Sequence, residues 1–140
     1  MASRSELTDD EWNTLHRAVT GAGLTVALSE QGFTSTFKES GAMASFMAHQ
    51  STEASSQLVR ELAGTHGTGW KITAAPDEVR QETVKLLQES IALLSAKAAD
   101  DLDGYRAFVL ALTDRVSEAG SGGEDVEGTA IATIREALGT

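Results

Sequence analysis

No cysteine occurs in the 140 residues, so disulfides, thiolate zinc sites and cysteine nucleophiles are excluded at the outset. Proline occurs once, at Pro76, leaving the chain nearly free of the residue that most disrupts helices. Aromatics are sparse, with four Phe, two Trp and one Tyr, so any core must be built mainly from aliphatic side chains. Long apolar runs are missing too. The longest weakly apolar run, "AGLTVAL" from Ala22, falls far short of the roughly 20 residues that cross a bilayer, and no membrane insertion is expected. The N-terminal "MASRSELTDDEW" lacks the apolar stretch of a secretory signal, which makes a cytoplasmic location the expectation. Basic residues are also few. Eleven Lys and Arg stand against 21 Asp and Glu, a formal net charge of −10. Phosphate backbones and anionic lipid surfaces are bound through Lys and Arg, so nucleic acid is not an expected partner.

What is present is helical periodicity. A chain of this length fits one domain, taken as residues 1–140 with residues 1–7 as a flexible N-terminus. Thr8 followed by Glu11 reads as a capping box, in which the hydroxyl takes the N3 amide and the carboxylate returns to the cap amide. A helix from about Asp9 to about Ser29 follows, with Trp12, Leu15, Val19, Ala22 and Val26 at three- and four-residue spacing. Leu24 and Leu28 fall off that stripe, so the second half of this helix is apolar on more than one side and is expected to be central. Gly21 and Gly23 cost it helix propensity and would let a neighbour approach closely.

After a turn over residues 32–36, a second helix carries Phe37, Met43, Phe46 and Met47 and is expected to break near residues 49–52. A third carries Leu58, Val59 and Leu62. The segment "GTHGTGWK" from Gly64 reads as a loop with Trp70 tucked against the bundle. Pro76 then opens a long helix with the stripe Val79, Thr83, Leu86, Leu87, Ser90, Ile91, Leu94 and Ala98. "DDLDG" interrupts it, and Leu102, Tyr105, Phe108, Val109, Leu112 and Val116 mark a fifth helix. These last two stripes are expected to pack together. A final helix from near Val126 carries Ile131, Ile134 and Leu138 and stops at Gly139. The fold class is therefore all-α, a single-domain bundle of five to six amphipathic helices.

Chemistry-bearing motifs mostly fail on spacing. "GTHGTGWK" is not a Walker loop, because Trp70 separates Gly69 from Lys71 and no strand precedes it. In "ADDLDG" an EF-hand register would put Ala99 at position one and Leu110 at position twelve, so neither end supplies a carboxylate. A di-iron bundle needs Glu-x-x-His, which the chain does not contain. His16, His49 and His66 read as structural or solvated. No nucleophile elbow is visible, and no cofactor motif is present.

Two segments share a layout. Gly32 is followed seven residues later by Glu39, and Gly120 by Glu127; apolar residues stand four and seven places beyond each Glu, at Met43 and Phe46 and at Ile131 and Ile134. The copies "VALSEQGFTSTFKE" and "VSEAGSGGEDVE" resemble the tellurite-resistance TerB-like family of all-helical bacterial proteins. There an apolar helix ends in a small residue, then Asp-Gly, a turn, a Ser/Thr cap and a Glu that starts the next helix. Gln31 and Ala119 depart from that pattern where its Asp would stand. The resemblance implies a stress-associated protein whose acidic turns face a metal, and it makes Glu30, Glu39, Glu118, Glu124, Asp125 and Glu127 the candidate cation ligands. A helix-end account of the same residues is sufficient: the glycine stops one helix, and the glutamate complements the dipole of the next.

The expected function is thus a non-enzymatic cytoplasmic module that acts by binding a protein partner or by self-association. One alternative is a metal-ion or small-molecule binder that uses the acidic turns. Another is an enzyme of unrecognised class.

Overall fold

The computed structural model describes residues 6–29, 33–65, 69–70, 75–119 and 124–139, with the backbone alone for residues 29, 33–40, 76, 119 and 124–128. Among them stand six α-helices and no strand: α1 (Asp9–Ser29), α2 (Phe33–Glu53), α3 (Gln57–Ala63), α4 (Pro76–Lys97), α5 (Leu102–Ala119) and α6 (Glu124–Leu138). The fold is all-α, as the periodicity requires. No helix among the described residues is long and apolar enough to cross a membrane.

Helix starts and stops follow local chemistry. The capping box forms at α1: the Thr8 amide donates to Glu11 Oε1 at 2.9 Å, and the Glu11 amide to Thr8 Oγ1 at 3.1 Å. Leu7 and Trp12 occupy the N′ and N4 positions of a hydrophobic staple, and both are buried in the core. Leu7 was assigned from sequence to the flexible N-terminal stretch, but the staple draws it in. Ser56 caps α3 by accepting from the Val59 amide. Pro76 sits in the first turn of α4, where its missing N–H costs nothing. Ala98 (φ −151°, ψ 55°) ends α4, and a 3-10 turn, Ala99–Asp101, leads directly into α5. α6 stops at Gly139, whose φ of +77° is the left-handed conformation glycine tolerates. Arg106 Nε donates to the Leu138 carbonyl there.

Three boundaries differ from the sequence expectation. α2 starts at Phe33 and α6 at Glu124, each two to four residues early; Ser, Thr and acidic residues suit a first helical turn as well as they suit a preceding loop. α2 also continues through residues 49–52 to Glu53. There Ser51 and Thr52 donate to the carbonyls of Ala48 and His49, so their hydroxyls are satisfied without breaking the helix.

α1 is the hub of the bundle. Trp12, Leu15, Ala18, Val19, Ala22 and Val26 are all buried, and α1 packs on α4, α5, α6 and α2. It is also buried on both flanks of that stripe, at Thr20, Gly21, Gly23 and Thr25, whereas Leu24 and Leu28 are half-buried. Glycines stand on these flanks because neighbours come close, α4 and Trp70 at Gly21 and α2 at Gly23. A Cβ on Gly21 would lie 2.7 Å from Trp70 Cζ2 and closer still to Thr83 Oγ1, and one on Gly23 would lie 2.5 Å from Met43 Sδ.

Helix directions follow from the same contacts. Lys97 pairs with Glu11 and Thr83 lies on Gly21, so α4 runs antiparallel to α1. Tyr105 Oη donates to the Leu15 carbonyl at 2.9 Å, and Leu112 lies beside Gly23, so α5 runs parallel to α1. Phe46 stacks on Phe108 with centroids 6.0 Å apart, and Arg106 reaches Leu138. α2 and α6 therefore both run antiparallel to α5. The stripes of α4 and α5 share one core, but α1 lies between them and the two helices touch each other little. The two stripes thus join in the main core, as expected, and they do so largely through α1.

Candidate functional site

The parallel run of α1 and α5 decides the geometry of the two acidic segments. The C-terminal ends of α1 and α5 and the N-terminal ends of α2 and α6 all lie at one end of the bundle. Of the six candidate ligands, Glu30 lies outside the described residues, as do the side chains of Glu39, Glu124, Asp125 and Glu127. Glu118 is exposed and lines a cleft between α2 and α5 of about 490 Å³, with Phe46, His49, Asp114 and Arg115. Among the described residues no group of three or more His, Asp or Glu side chains is arranged to hold a metal ion.

The loop read as a failed phosphate loop is tied to α1. Trp70 Nε1 donates to the Arg17 carbonyl at 3.1 Å, and Arg17 Nε returns to the Gly69 carbonyl at 3.1 Å. The guanidinium carbon of Arg17 lies 4.6 Å from the indole centroid, a cation–π distance. Gly69, at φ +79°, supplies the turn that brings the Arg17 stem this close.

Below that loop His16 stands out. It lies on the core-facing side of α1, beside Trp12 and Leu15, and is 5% exposed. Burial in apolar surroundings lowers its pKa from 6.5, and a backbone hydrogen bond with Thr65 works in the opposite, weaker sense. The ring is therefore neutral at pH 7. Its Nε2 is buried and has no hydrogen-bond partner. The ring N–H that serves the Thr65 carbonyl is then on Nδ1, an assignment that follows from the bonding network, and Nε2 carries a bare lone pair.

His16 separates two clefts. One, of about 550 Å³, lies between α1 and α4 and is polar, with Asp10, Asn13, Arg17, Glu82 and Glu89. The other, of about 460 Å³, lies between α1, α2 and the end of α3 and is largely apolar. Its walls are Met43, Ala44, Met47, Ala48 and Ala63, and its polar side chains are His16, Thr20, Ser51 and Thr65. Each hydroxyl among these donates within its own helix or to the carbonyl just before it in the chain. Thr20 donates to the His16 carbonyl at 3.1 Å, Ser51 to Ala48 at 2.7 Å and Thr65 to Glu61 at 2.9 Å. Of the polar side chains lining this cleft among the described residues, His16 is the one with a buried polar atom, Nε2, that has no hydrogen-bond partner. No hydroxyl is hydrogen-bonded to it as a nucleophile would be to its base.

The sequence reading missed this site. Its one available signal was His16 falling next to Leu15 and Val19 on the apolar stripe. That placement marks a buried histidine and not what surrounds it. The methionines signal even less, because α2 places them at ordinary core spacing. Compared with known proteins, the chain matches no family model, no curated protein and no solved structure.

Proposed function

We propose that the protein is a non-catalytic binding module that takes a small, largely apolar molecule in the cleft between α1, α2 and α3. The observation that carries this reading is a methionine-walled, largely apolar cleft of about 460 Å³ whose polar side chains among the described residues are His16, Thr20, Ser51 and Thr65. Ligand pockets in proteins have this character: roughly 300–1,000 Å³, mostly apolar, with few polar groups to fix orientation. Helical bundles build such sites between facing helices. Methionine suits the wall because its thioether is polarisable and its side chain adapts to the occupant. A binding role in place of a hydrolytic one is supported by the hydroxyls of Thr20, Ser51 and Thr65, which are all committed to backbone carbonyls.

The chain has three methionines, Met1, Met43 and Met47, which makes the test direct. Titration of methyl-labelled protein with naphthalene, followed by NMR, should move the Met43 and Met47 methyl resonances saturably and leave Met1 in place. Resonances that stay fixed throughout the titration would refute the proposal.

A second reading, docking of a protein partner or of another copy, is favoured by α2. Residues 40–52 contain no Asp, Glu, Lys or Arg in a chain of net charge −10. Among the described residues of this stretch, the exposed positions are Gly41, Ala44, Ser45, Ala48, His49 and Thr52, small apart from the histidine, and interface centres are depleted of charge. Light scattering on wild type and Ala48→Glu tests it. The reading requires a concentration-dependent mass that the substitution abolishes, and a monomer at all concentrations would leave self-association without support. The TerB-like resemblance adds a stress-associated setting, carried by the sequence of the two turns alone. It is tested by comparing growth under tellurite with and without the protein.

A further inference from the structure

His16 is the one titratable side chain among the described residues that line the apolar cleft. The parts of α2 and α3 that form the other walls bring no charged group to it. Charged groups share a cleft with the ring on its polar side instead: Asp10 and Arg17 of α1, and Glu82 and Glu89 of α4. Arg17 is engaged with Gly69 and Trp70. Burial is the main influence on the ring's pKa and the Thr65 bond the second, with a net lowering, so the carboxylates of the polar side do not hold a proton on it. Protonation would place that proton on Nε2, a buried atom with no hydrogen-bond partner. The charged ring thus has no new acceptor where it stands, and charge buried without a partner is costly.

We propose that acid releases the ligand: the apolar cleft holds its uncharged occupant while His16 is neutral and loses it when His16 takes up a proton. This rests on the binding reading above and adds the regulation of that site. An apolar occupant needs no contact with Nε2 to have this effect. It displaces the water that fills the cleft on one side of the ring, and a charge is worse off the further it lies from water. Occupant and proton therefore compete for the same wall without touching the same atom. The coupling is reciprocal by necessity: whatever factor protonation takes from the ligand's affinity, the ligand takes from the proton's. Met43, Met47 and the alanines of the wall carry no titratable group, which leaves the imidazole as the switch.

Naphthalene is again the probe, because it is uncharged at every pH. The titration midpoint of the His16 ring is first measured by NMR in the free, full-length chain. Naphthalene is then titrated at pH 7.5 and at one pH unit below that midpoint. Its affinity is expected to fall about tenfold at the lower pH, since about one ring in eleven stays neutral there and the apparent affinity scales with that fraction. Saturating naphthalene should move the His16 midpoint further down. In His16→Gln the affinity should be the same at both pH values; if that variant does not fold, the displacement of the wild-type midpoint decides alone. Equal affinity at both pH values with an unmoved midpoint overturns the proposal while the binding module stands. A ring that never titrates while the chain is folded overturns it as well. Failure of naphthalene to bind at either pH overturns both readings.

Discussion

Gly21 and Gly23 stand two residues apart on α1, and the structure sets them opposite fates. A methyl group at Gly21 meets Trp70 and Thr83, which are held by the loop hydrogen bonds and by helix packing. At Gly23 it meets only the sulfur of Met43, the far end of a flexible side chain. Alanine raises helix propensity by about 1 kcal/mol at either site, whereas overpacking costs roughly 1–3 kcal/mol where neighbours cannot yield. Gly21→Ala should therefore destabilise in urea melts and disturb Trp70 fluorescence, while Gly23→Ala should be close to neutral. Tyr105→Phe removes the hydroxyl bonded to the Leu15 carbonyl, at a fully buried position, and should cost about 1 kcal/mol. His16 gives a pH signature. Its folded-state pKa lies below 6.5, so the unfolded chain binds the proton more readily and stability falls as pH drops below that value. His16→Gln should flatten that slope in melts between about pH 7 and pH 5; an unchanged slope would mean the ring titrates as freely folded as unfolded. At this scale the sequence was readable where the partners are local. Thr8 and Glu11 are three residues apart, and their capping box formed as expected. Tyr105 and Leu15 are ninety apart, and no spacing rule connects them.

Helices are chosen by periodicity, but their neighbours are chosen by the remainder of the chain. The stripe from Val79 to Leu94 is buried at Val79, Thr83, Leu86, Leu87, Ser90 and Leu94, so the burying face of α4 was legible. That it buries against α1 was not, because an apolar stripe states that a face is covered and not by which helix. Leu87 is fully buried and Phe108 nearly so; Leu87→Ala and Phe108→Ala should each cost roughly 2–5 kcal/mol in denaturant unfolding. The far ends of α1 and α4 are joined by Glu11 and Lys97. Lys97 is the main cause, with Thr8 next, of a Glu11 pKa held below its ordinary 4.5. A lowered carboxylate contributes stability above that value and loses it as pH falls through the folded-state pKa. Lys97→Met should thus lose less thermal stability than wild type on acidification from about pH 5 to pH 3. An identical loss in both proteins would assign the effect to the cap alone.

In the whole molecule the six helices are not equally anchored. α1, α4 and α5 each bury a continuous row of residues, but in the described part of α2, from Gly41 to Glu53, no residue is more than partly buried. α2 leans on the bundle through Met43, Phe46 and Met47, and the apolar cleft lies beneath it. The outermost helix is therefore also one wall of the proposed binding site. Elements with few buried contacts open at lower free energy than the core, and binding elements are commonly drawn from them. The acidic segments show why the sequence did not lead here. Their repetition was visible, and the parallel run of α1 and α5 does bring their flanking helix ends to one end of the bundle. Yet an imidazole nitrogen left without a partner becomes visible only when the residues packed around it are known. Native-state hydrogen exchange joins these points. Amides of α2 between Gly41 and Gln50 should exchange through a local opening well below the global unfolding free energy, while those of α1 around Leu15–Ala22 should exchange only on global unfolding. Saturating naphthalene should slow α2 by more than it slows α1, because the ligand would lie against Met43 and Met47 of α2. Protection that rises equally in all helices would show binding to the folded state without any particular hold on α2.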